Sequence, residues 1–422
     1  MCKLKILHVV QGYTPAIGGT ERLIQKVSEK LVERHGDDVT VFTTTAYNCE
    51  LFWRDDQPEL SAGTEVINGV TVRRFPVFNK FNELRRLLAG GSYKLHLPFN
   101  DRLRALYNGP IIPSMTNEIA KFGADIIGGS SFPLLHMHYM LNGGRRAGIP
   151  VVYHGGIHTA DTFGFDRPMI YKAVRKANAY IANTRFERDY LVEQKGIPSE
   201  KITVVGVGVD IEPFEKGNGR VIRERFGWDD DAPIIAFVGQ QVAHKGIDMV
   251  MEAMPQIWHE HPETCLLIAG AQTTYSTVIK QQIEQLPAAL QSNVAVMDDF
   301  LESEKPHIFA ACDMLVFPSG HESFGIVFVE AWAAKKPVIG ARIGAIPTVV
   351  DDGKDGLLIQ HRNVGELVQA IRSLLTQPEL RTRLGMAGYN KVRDHYTWDI
   401  VADKFREVYV QAYKVANVDS TR

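Results

Sequence analysis

No apolar run in these 422 residues approaches the ~20 consecutive apolar side chains that a membrane-spanning helix needs. The runs are short and broken by glycine, proline or charge, so the chain is expected to cross no membrane. A secretion signal is missing by the same measure. Lys3 and Lys5 lead straight into Ile6-Leu7-His8-Val9-Val10, too short an apolar core and with no small-residue cleavage site beside it. Cysteine is scarce: Cys2, Cys49, Cys265 and Cys312 are scattered, which excludes a disulfide framework and paired metal ligands and fits free thiols in a reducing compartment. A cytoplasmic location is therefore expected. An excess of charge is also lacking. Lys and Arg number 47 against 49 Asp and Glu, a net charge of -2, too balanced for binding nucleic acid through bulk charge. The 45% of hydrophobic residues excludes disorder and suffices for two or three cores.

What is present is an alternation of short strands and amphipathic helices. A strand at about residues 4 to 10 is followed by a glycine-containing loop, a helix with Leu23, Ile24, Val27, Leu31 and Val32 on one face, and a second strand from Val39 to Thr43. Further strands are expected at Asp125 to Ile127, Val151 to Tyr153, Ala179 to Ala182 and Ile202 to Val205. Strand, helix, strand with short connections predicts a parallel sheet covered by helices. A break at Gly206 to Asp210 and a polar, linker-like stretch at Glu215 to Gly219 precede a second such series. Its strands are expected at Ile234 to Val238, Cys265 to Ala269, Val294 to Met297, Met314 to Phe317, Val338 to Ile339 and Gly356 to Ile359. The fold class is thus α/β with two doubly wound sheets: residues 1–205, residues 206–395, and a last amphipathic helix within 396–422 that is expected to pack back toward the first domain. Before residue 206 there are 26 basic and 20 acidic residues, a balance of +6, which leaves -8 for the rest.

Three strand-to-helix loops carry candidate chemistry, because open α/β sheets bind ligands at the carboxyl ends of their strands. The loop Pro318 to Phe324 holds Glu322, and the helix after it is apolar on every face apart from Glu330. A buried carboxylate without partners costs several kcal/mol, by order of magnitude, so Glu330 requires one. An unseen Arg or backbone group would satisfy it, but two glutamates eight positions apart around a Ser-Phe-Gly turn look more like a ligand clamp. The loop Gly239-Gln240-Gln241-Val242-Ala243-His244-Lys245-Gly246 sets Lys245 and backbone N–H groups where an anion would bind. The third loop, Gly12 to Glu21, contains Gly18-Gly19, which let a backbone approach a phosphate or simply serve a tight turn. His154 follows the Val151 strand and precedes Gly155-Gly156, with His158 and Asp161 close by; a structural histidine and a cleft residue are both open readings. Asp229-Asp230-Asp231 reads as a solvated turn rather than a metal site. No Gly-x-Gly-x-x-Gly follows the first strand, which argues against a dehydrogenase.

Together these residues resemble glycosyltransferase family 4, the retaining nucleotide-sugar transferases of GT-B fold, over nearly the whole chain. The signature is Pro318-Ser-Gly-His-Glu-Ser-Phe-Gly-Ile-Val-Phe-Val-Glu-Ala331, with the Gly239 to Gly246 loop, Gly18-Gly19, His154, Val207 to Asp210 and Tyr396-Thr397-Trp398 in support. The resemblance implies two Rossmann-like domains facing across a cleft. By it, Glu330 would bind the ribose hydroxyls and Glu322 the donor sugar. Phe324, Gly325 and Ile326 would offer backbone N–H groups, and Lys245 would neutralise the diphosphate within the Gly239-Gln240 loop. Gly18 and Gly19 would approach the diphosphate from the other domain, and His154 would contact the sugar near its reacting carbon; His158 and Asp161, by their closeness to His154 in sequence, are expected to line the acceptor side. The family usually carries Arg where this chain has Gln240, Asn at Val207, and a second glycine and a glutamate at Ala345 and Thr348. The reading implied is a metal-independent, retaining transfer of a sugar from a UDP-, GDP- or ADP-sugar to a glycan, lipid-linked or small-molecule hydroxyl in cell-surface glycan or glycolipid synthesis. It needs no cofactor. Rival readings are an epimerase or phosphorylase of the same fold, and a catalytically weak nucleotide-sugar-binding subunit.

One stretch lies outside that signature. Lys80, Arg85, Arg86, Lys94, Arg102 and Arg104 stand against Glu83 and Asp101 and are interleaved with Phe81, Leu84, Leu87, Leu88, Tyr93, Leu95, Leu97 and Phe99. The mixture suits either an anionic membrane surface, which would make the protein peripheral on the inner face, or a solvated basic face over an ordinary core.

Overall fold

The computed structural model describes residues 3–16, 18–54, 56–130, 132–157 and 163–420. The chain forms two units: one comprises the residues up to Gly206 together with the chain from Trp398 onward, the other Val207–Thr397. In the first unit, an eight-stranded sheet is built from β1 (Lys5–Val9), β2 (Asp38–Thr44), β3 (Gly63–Ile67), β4 (Val70–Phe75), β5 (Ile126–Gly129), β6 (Val151–His154), β7 (Ala179–Ala182) and β8 (Ile202–Val204). Their spatial order is β3-β4-β2-β1-β5-β6-β7-β8, parallel throughout except for β3 against β4. Continuous apolar runs make these strands because helices cover both faces of a parallel sheet. Four of five residues in β1 and all four in β5 and β6 are buried.

The β3–β4 hairpin is absent from the alternation read above. Its cue is Asn68-Gly69 between Val66-Ile67 and Val70-Thr71. Both turn residues take positive φ, 49° and 82°, as a two-residue hairpin turn demands.

The second unit holds β9 (Ile234–Val238), β10 (Cys265–Gly270), β11 (Val294–Asp298), β12 (Met314–Phe317), β13 (Val338–Ala341) and β14 (Gly356–Ile359). They form an all-parallel sheet of order β11-β10-β9-β12-β13-β14. Chain direction across this sheet reverses between β9 and β12, which pair directly through Met314 with Ile235 and Leu315 with Ala236. The polar stretch after Glu215 is not a linker. It joins the short helices Ile211–Glu215 and Arg220–Phe226 inside the second unit. A side chain at Gly217 or Gly219 would stand 2.3 Å from the Pro306 oxygen or 2.6 Å from the Ala311 Cα, so these glycines serve close packing on the helix Lys305–Ala311.

The last helix, Trp398–Ser420, belongs to the first unit. Its Arg406 meets the buried Asp37 through Nε at 2.8 Å and Nη2 at 3.0 Å, and Asp399 and Asp403 pair with Arg34 on the helix Gly19–His35. Phe405 and Tyr409, both buried, reach the core beneath β1 and β6. The chain therefore crosses between units twice. Within the second unit, the entering and leaving segments pair at Val209 and Thr397, with the Val209 N–H donating to the Tyr396 oxygen at 2.8 Å.

Candidate functional site

The reversal between β9 and β12 opens a crevice at the carboxyl ends of those strands, and both loops that leave it carry charge. After β9 the chain runs through Gly239 and the exposed Gln240 into a short turn at Ala243–Lys245. Gly246 ends that turn at φ 86°, and a Cβ there would stand 2.5 Å from the Pro318 oxygen. Only glycine permits that conformation and that approach together. The loop after β12 is tied to the first by Gly320, whose N–H donates to the His244 oxygen at 2.8 Å. The two loops thereby bring Lys245 Nζ to 2.7 Å from Glu322 Oε1, with the side chains 21% and 12% exposed. This pair spans 77 positions and joins two residues singled out independently in the sequence.

Behind the pair starts the helix Ile326–Ala333, with Gly325 as its N-cap. No side chain caps it and its first turn holds no acidic residue, so its N-terminal backbone N–H groups are left without a side-chain cap. Phe324 is buried and packs edge-on to Tyr396 with ring centroids 5.4 Å apart, fixing the turn that aims Gly325 and Ile326. Every residue from Val327 to Ala333 is buried, Glu330 among them at 4% exposure. The partner its burial requires is Lys305, at the start of the neighbouring helix, whose Nζ lies 2.8 Å from Glu330 Oε1 and 3.1 Å from Glu302 Oε1. Gln241, the residue after Gln240, is buried as well: its Nε2 donates to Asp298 Oδ1 at 2.7 Å and to the Gly270 oxygen at 3.1 Å, while its Oε1 meets no donor among the described residues. Lys305 and Gln241 were not singled out in the sequence. A lysine at a helix start and a glutamine beside a loop carry no signal of their own.

In the first unit, Gly18 and Gly19 open the helix Gly19–His35. A Cβ at Gly18 would stand 2.1 Å from Glu21 Oε2, so its bareness has a packing reason as well as the one proposed from sequence. Glu21 is buried, receives a hydrogen bond from Gln11 Nε2 at 2.8 Å, and is raised above the usual carboxylate range by that burial.

His154 packs into the core of the first unit. Its side chain is fully buried at the end of β6, with Nε2 2.9 Å from the Tyr409 hydroxyl and the Phe405 ring edge-on at 4.9 Å. The same hydroxyl lies 3.0 Å from His8 Nε2, and His8 Nδ1 meets Ser28 Oγ at 2.7 Å. Burial, with the neighbouring His8 second, holds the His154 pKa well below its ordinary value, so the imidazole is neutral. It belongs to the core contact with the last helix. The backbone beyond it is fixed by the buried Glu187. Glu187 Oε1 accepts from the N–H of Gly156 at 2.9 Å and of Ile157 at 3.1 Å, and from the Tyr180 hydroxyl at 2.7 Å. That anchored loop leads toward His158 and Asp161, which lie outside the described residues. Asp229, Asp230 and Asp231 are exposed in the turn before β9, and Asp230 faces Arg220 at 3.6 Å. Among the described residues, no group of three or more His, Cys, Asp or Glu is placed to hold a metal ion.

Of the basic residues at 80 to 104, two turn inward. Arg85 donates to the oxygens of Leu106 and Phe52 at 3.1 Å each, and Arg104 donates to the Phe163 oxygen at 2.9 Å and pairs with Asp101 at 2.6 Å. These two are structural, so the expectation of six cations on one surface is reduced to four.

Comparisons with known proteins bear on the family and the fold. Residues 17–213 match the model of the family described as Glycosyltransferase Family 4, and residues 219–391 that described as Glycosyl transferases group 1. Similar sequences include the D-inositol 3-phosphate glycosyltransferase of Geodermatophilus obscurus, 30% identical over 311 residues that cover 67% of each chain. Another, of the same description, is from Thermobifida fusca and is 27% identical over 421 residues, 94% of this chain and 89% of the relative. Solved structures of similar fold include Anabaena HepE in complex with UDP, with a TM-score of 0.70 and 19% identity, covering 97% of this chain and 100% of that one. Sucrose-phosphate synthase from Thermosynechococcus elongatus gives a TM-score of 0.71 and 18% identity over the same shares.

Proposed function

Since the chain belongs to the family 4 glycosyltransferases of group 1, we propose that it moves a sugar from a nucleotide-sugar to an acceptor hydroxyl with retention at the anomeric carbon, and without a metal ion. The observation that carries this is the Lys245–Glu322 ion pair in the crevice between β9 and β12, with Glu330 buried eight residues beyond it. A nucleoside diphosphate departs with growing negative charge. In this reading Lys245 and the uncapped N-terminus of the helix Ile326–Ala333, through Gly325 and Ile326, stabilise that charge where it forms. Glu322 takes a donor-sugar hydroxyl, and Glu330 takes the ribose hydroxyls in exchange for part of its bond to Lys305. The backbone at Gly239-Gln240, which leads from β9 into the turn that carries Lys245, approaches the diphosphate. No side chain at the crevice is assigned as a covalent nucleophile. The acceptor oxygen attacks from the side of the leaving group, whose phosphate oxygen takes its proton, and catalysis rests on holding the two together.

Relatives named for D-inositol 3-phosphate and a neighbour holding UDP support a nucleotide-sugar donor and a phosphate-bearing acceptor; in this reading the product belongs to cell-surface glycan or glycolipid synthesis. Thermal shift with UDP, GDP and ADP and their sugars identifies the base, since a ligand at 100 times its Kd stabilises by about 2.7 kcal/mol. Glu330→Gln is expected to weaken nucleotide binding about 10- to 100-fold, because a charged acceptor contributes ~1.5 to 3 kcal/mol and an amide accepts on one side only. Calorimetric titration checks it, and unchanged affinity in the folded variant would remove Glu330 from the site. Activity is expected to persist in EDTA, and NMR of the first-formed product is expected to show the donor's anomeric configuration. Loss restored by added metal would reject the metal-free step, and an inverted product the retaining one. Donor consumption without any acceptor would favour an epimerase.

A further inference from the structure

The helix Asn82–Lys94 is turned the opposite way from an ordinary surface helix. Leu84, Leu87 and Leu88 recur at helical spacing, and Leu95 continues the stripe one residue past its end. The face that the helix buries holds only Ala89 and Ser92. With Phe81 and Phe99 beside them, those four leucines are 48–72% exposed. Of the 17 large apolar side chains exposed among the described residues, nine fall between Phe78 and Leu106. Concentrated apolar exposure of this kind marks an interaction surface rather than scatter. The structure holds the helix in place from the inner side, through Arg85 and through Asn82 Nδ2 donating to the Trp53 oxygen.

The charges around the stripe identify what covers it. Lys80, Lys94 and Arg102 are exposed and pair with no carboxylate among the described residues, and Arg86, also exposed, meets only the exposed Glu83. The other acid of the segment, Asp101, is used internally by Arg104 and by the Met169 N–H at 3.2 Å. The surface is thus an apolar stripe with a rim of one sign, lying on the unit whose sequence before residue 206 carries +6. Leucine and phenylalanine between free lysines and arginines match an anionic bilayer, where the apolar side chains enter the acyl boundary and the cations meet headgroup phosphates. We propose that the hairpin of helices Asn82–Lys94 and Asn100–Asn108 docks the protein on an anionic lipid surface. Its inner side rests on segments that follow strand ends: Trp53 Nε1 donates to the Tyr107 oxygen at 2.8 Å after β2, and Arg104 reaches Phe163 after β6. Those are carboxyl ends, so docking brings the lipid surface to the side of the first unit's sheet on which ligands of parallel sheets bind.

The inference is independent of the transferase reading. The full chain is tested by sedimentation with vesicles of phosphatidylcholine and phosphatidylglycerol at low salt, against phosphatidylcholine alone. Binding to the anionic vesicles is expected. Lys94→Glu with Arg102→Glu, and separately Leu87→Glu with Leu88→Glu, are expected to lower partitioning about tenfold or more, from ~1 kcal/mol per juxtamembrane cation. All four positions are exposed, so melting temperature and nucleotide-induced thermal shift are expected to stay unchanged in both variants; that readout fails only if the donor site fails. No sedimentation of the parent chain, or binding that neither variant lowers, overturns the proposal. So does a parent chain that ignores vesicles and self-associates in solution through Leu87 and Leu88, which would make a second copy the occupant.

Discussion

Lys245→Ala is expected to lower kcat for sugar transfer about 100- to 1,000-fold, the usual loss when one fixed charge or donor is removed from a developing anion. Donor affinity is expected to fall less, because the diphosphate gains most of its charge as the sugar bond breaks. The 2.7 Å contact to Glu322 adds a second expectation. Removing either partner strands the other in a site where neither side chain is more than 21% exposed, so Glu322→Ala also slows turnover and the double variant is no slower than the slower single one. Steady-state kinetics at saturating donor decide this. Normal kcat in a folded Lys245→Ala protein would take Lys245 out of the reaction, and fully additive losses would show that the two residues act separately.

The second large effect concerns acid. His8 and His136 are buried and held down to about pH 3, and His154 lies well below its ordinary value; burial is the leading cause in all three. In the unfolded chain each titrates near 6.5, so between there and its native value the unfolded state binds more protons and stability falls with pH. Each histidine contributes about 1.4 kcal/mol per pH unit below that point, roughly 4 kcal/mol per unit for three. Glu21 and Glu187, raised by burial, work in the opposite sense and offset part of this at lower pH. A steep drop in the urea midpoint is therefore expected between pH 6.5 and 5, amounting to a large share of a typical domain's ~5 to 15 kcal/mol. Tyr409→Phe, which leaves two buried imidazole nitrogens without their hydroxyl, is expected to cost about 2 to 3 kcal/mol at pH 7.5. A flat midpoint from pH 7.5 to 5 would mean that the three imidazoles take up protons without unfolding.

Most strands were legible because buried parallel strands are written as uninterrupted Val, Ile and Leu; Ile234–Val238 and Met314–Phe317 were read with their exact bounds. The charged loops were legible for the same topological reason, since a residue just past such a strand lies at its carboxyl end. What escaped was set by long-range packing. Nothing near His154 announces Tyr409, 255 positions away, and so its contact with the last helix could not be read from the sequence. Lys305 reaches Glu330 from another helix, and no spacing rule links them. Arg85 and Arg86 are neighbours of one type, yet a helix turns them about a quarter-turn apart, one into backbone oxygens and one into solvent. The β3–β4 hairpin is a different case, because Asn68-Gly69 was a local signal and went unused.

The double crossing of the chain also orders events at the ribosome. The second unit, Val207–Thr397, is contiguous, and its two ends are stitched at Val209 and Thr397, so it has every residue it needs once Thr397 has emerged. The first unit does not. Its sheet is made early, but the Tyr409 hydroxyl that joins His8 and His154 comes 255 positions after His154, roughly 10 to 50 seconds later at ~5 to 20 residues per second. The unit that is begun first is therefore finished last, and for that interval two core histidines stand open to solvent and free to take up protons.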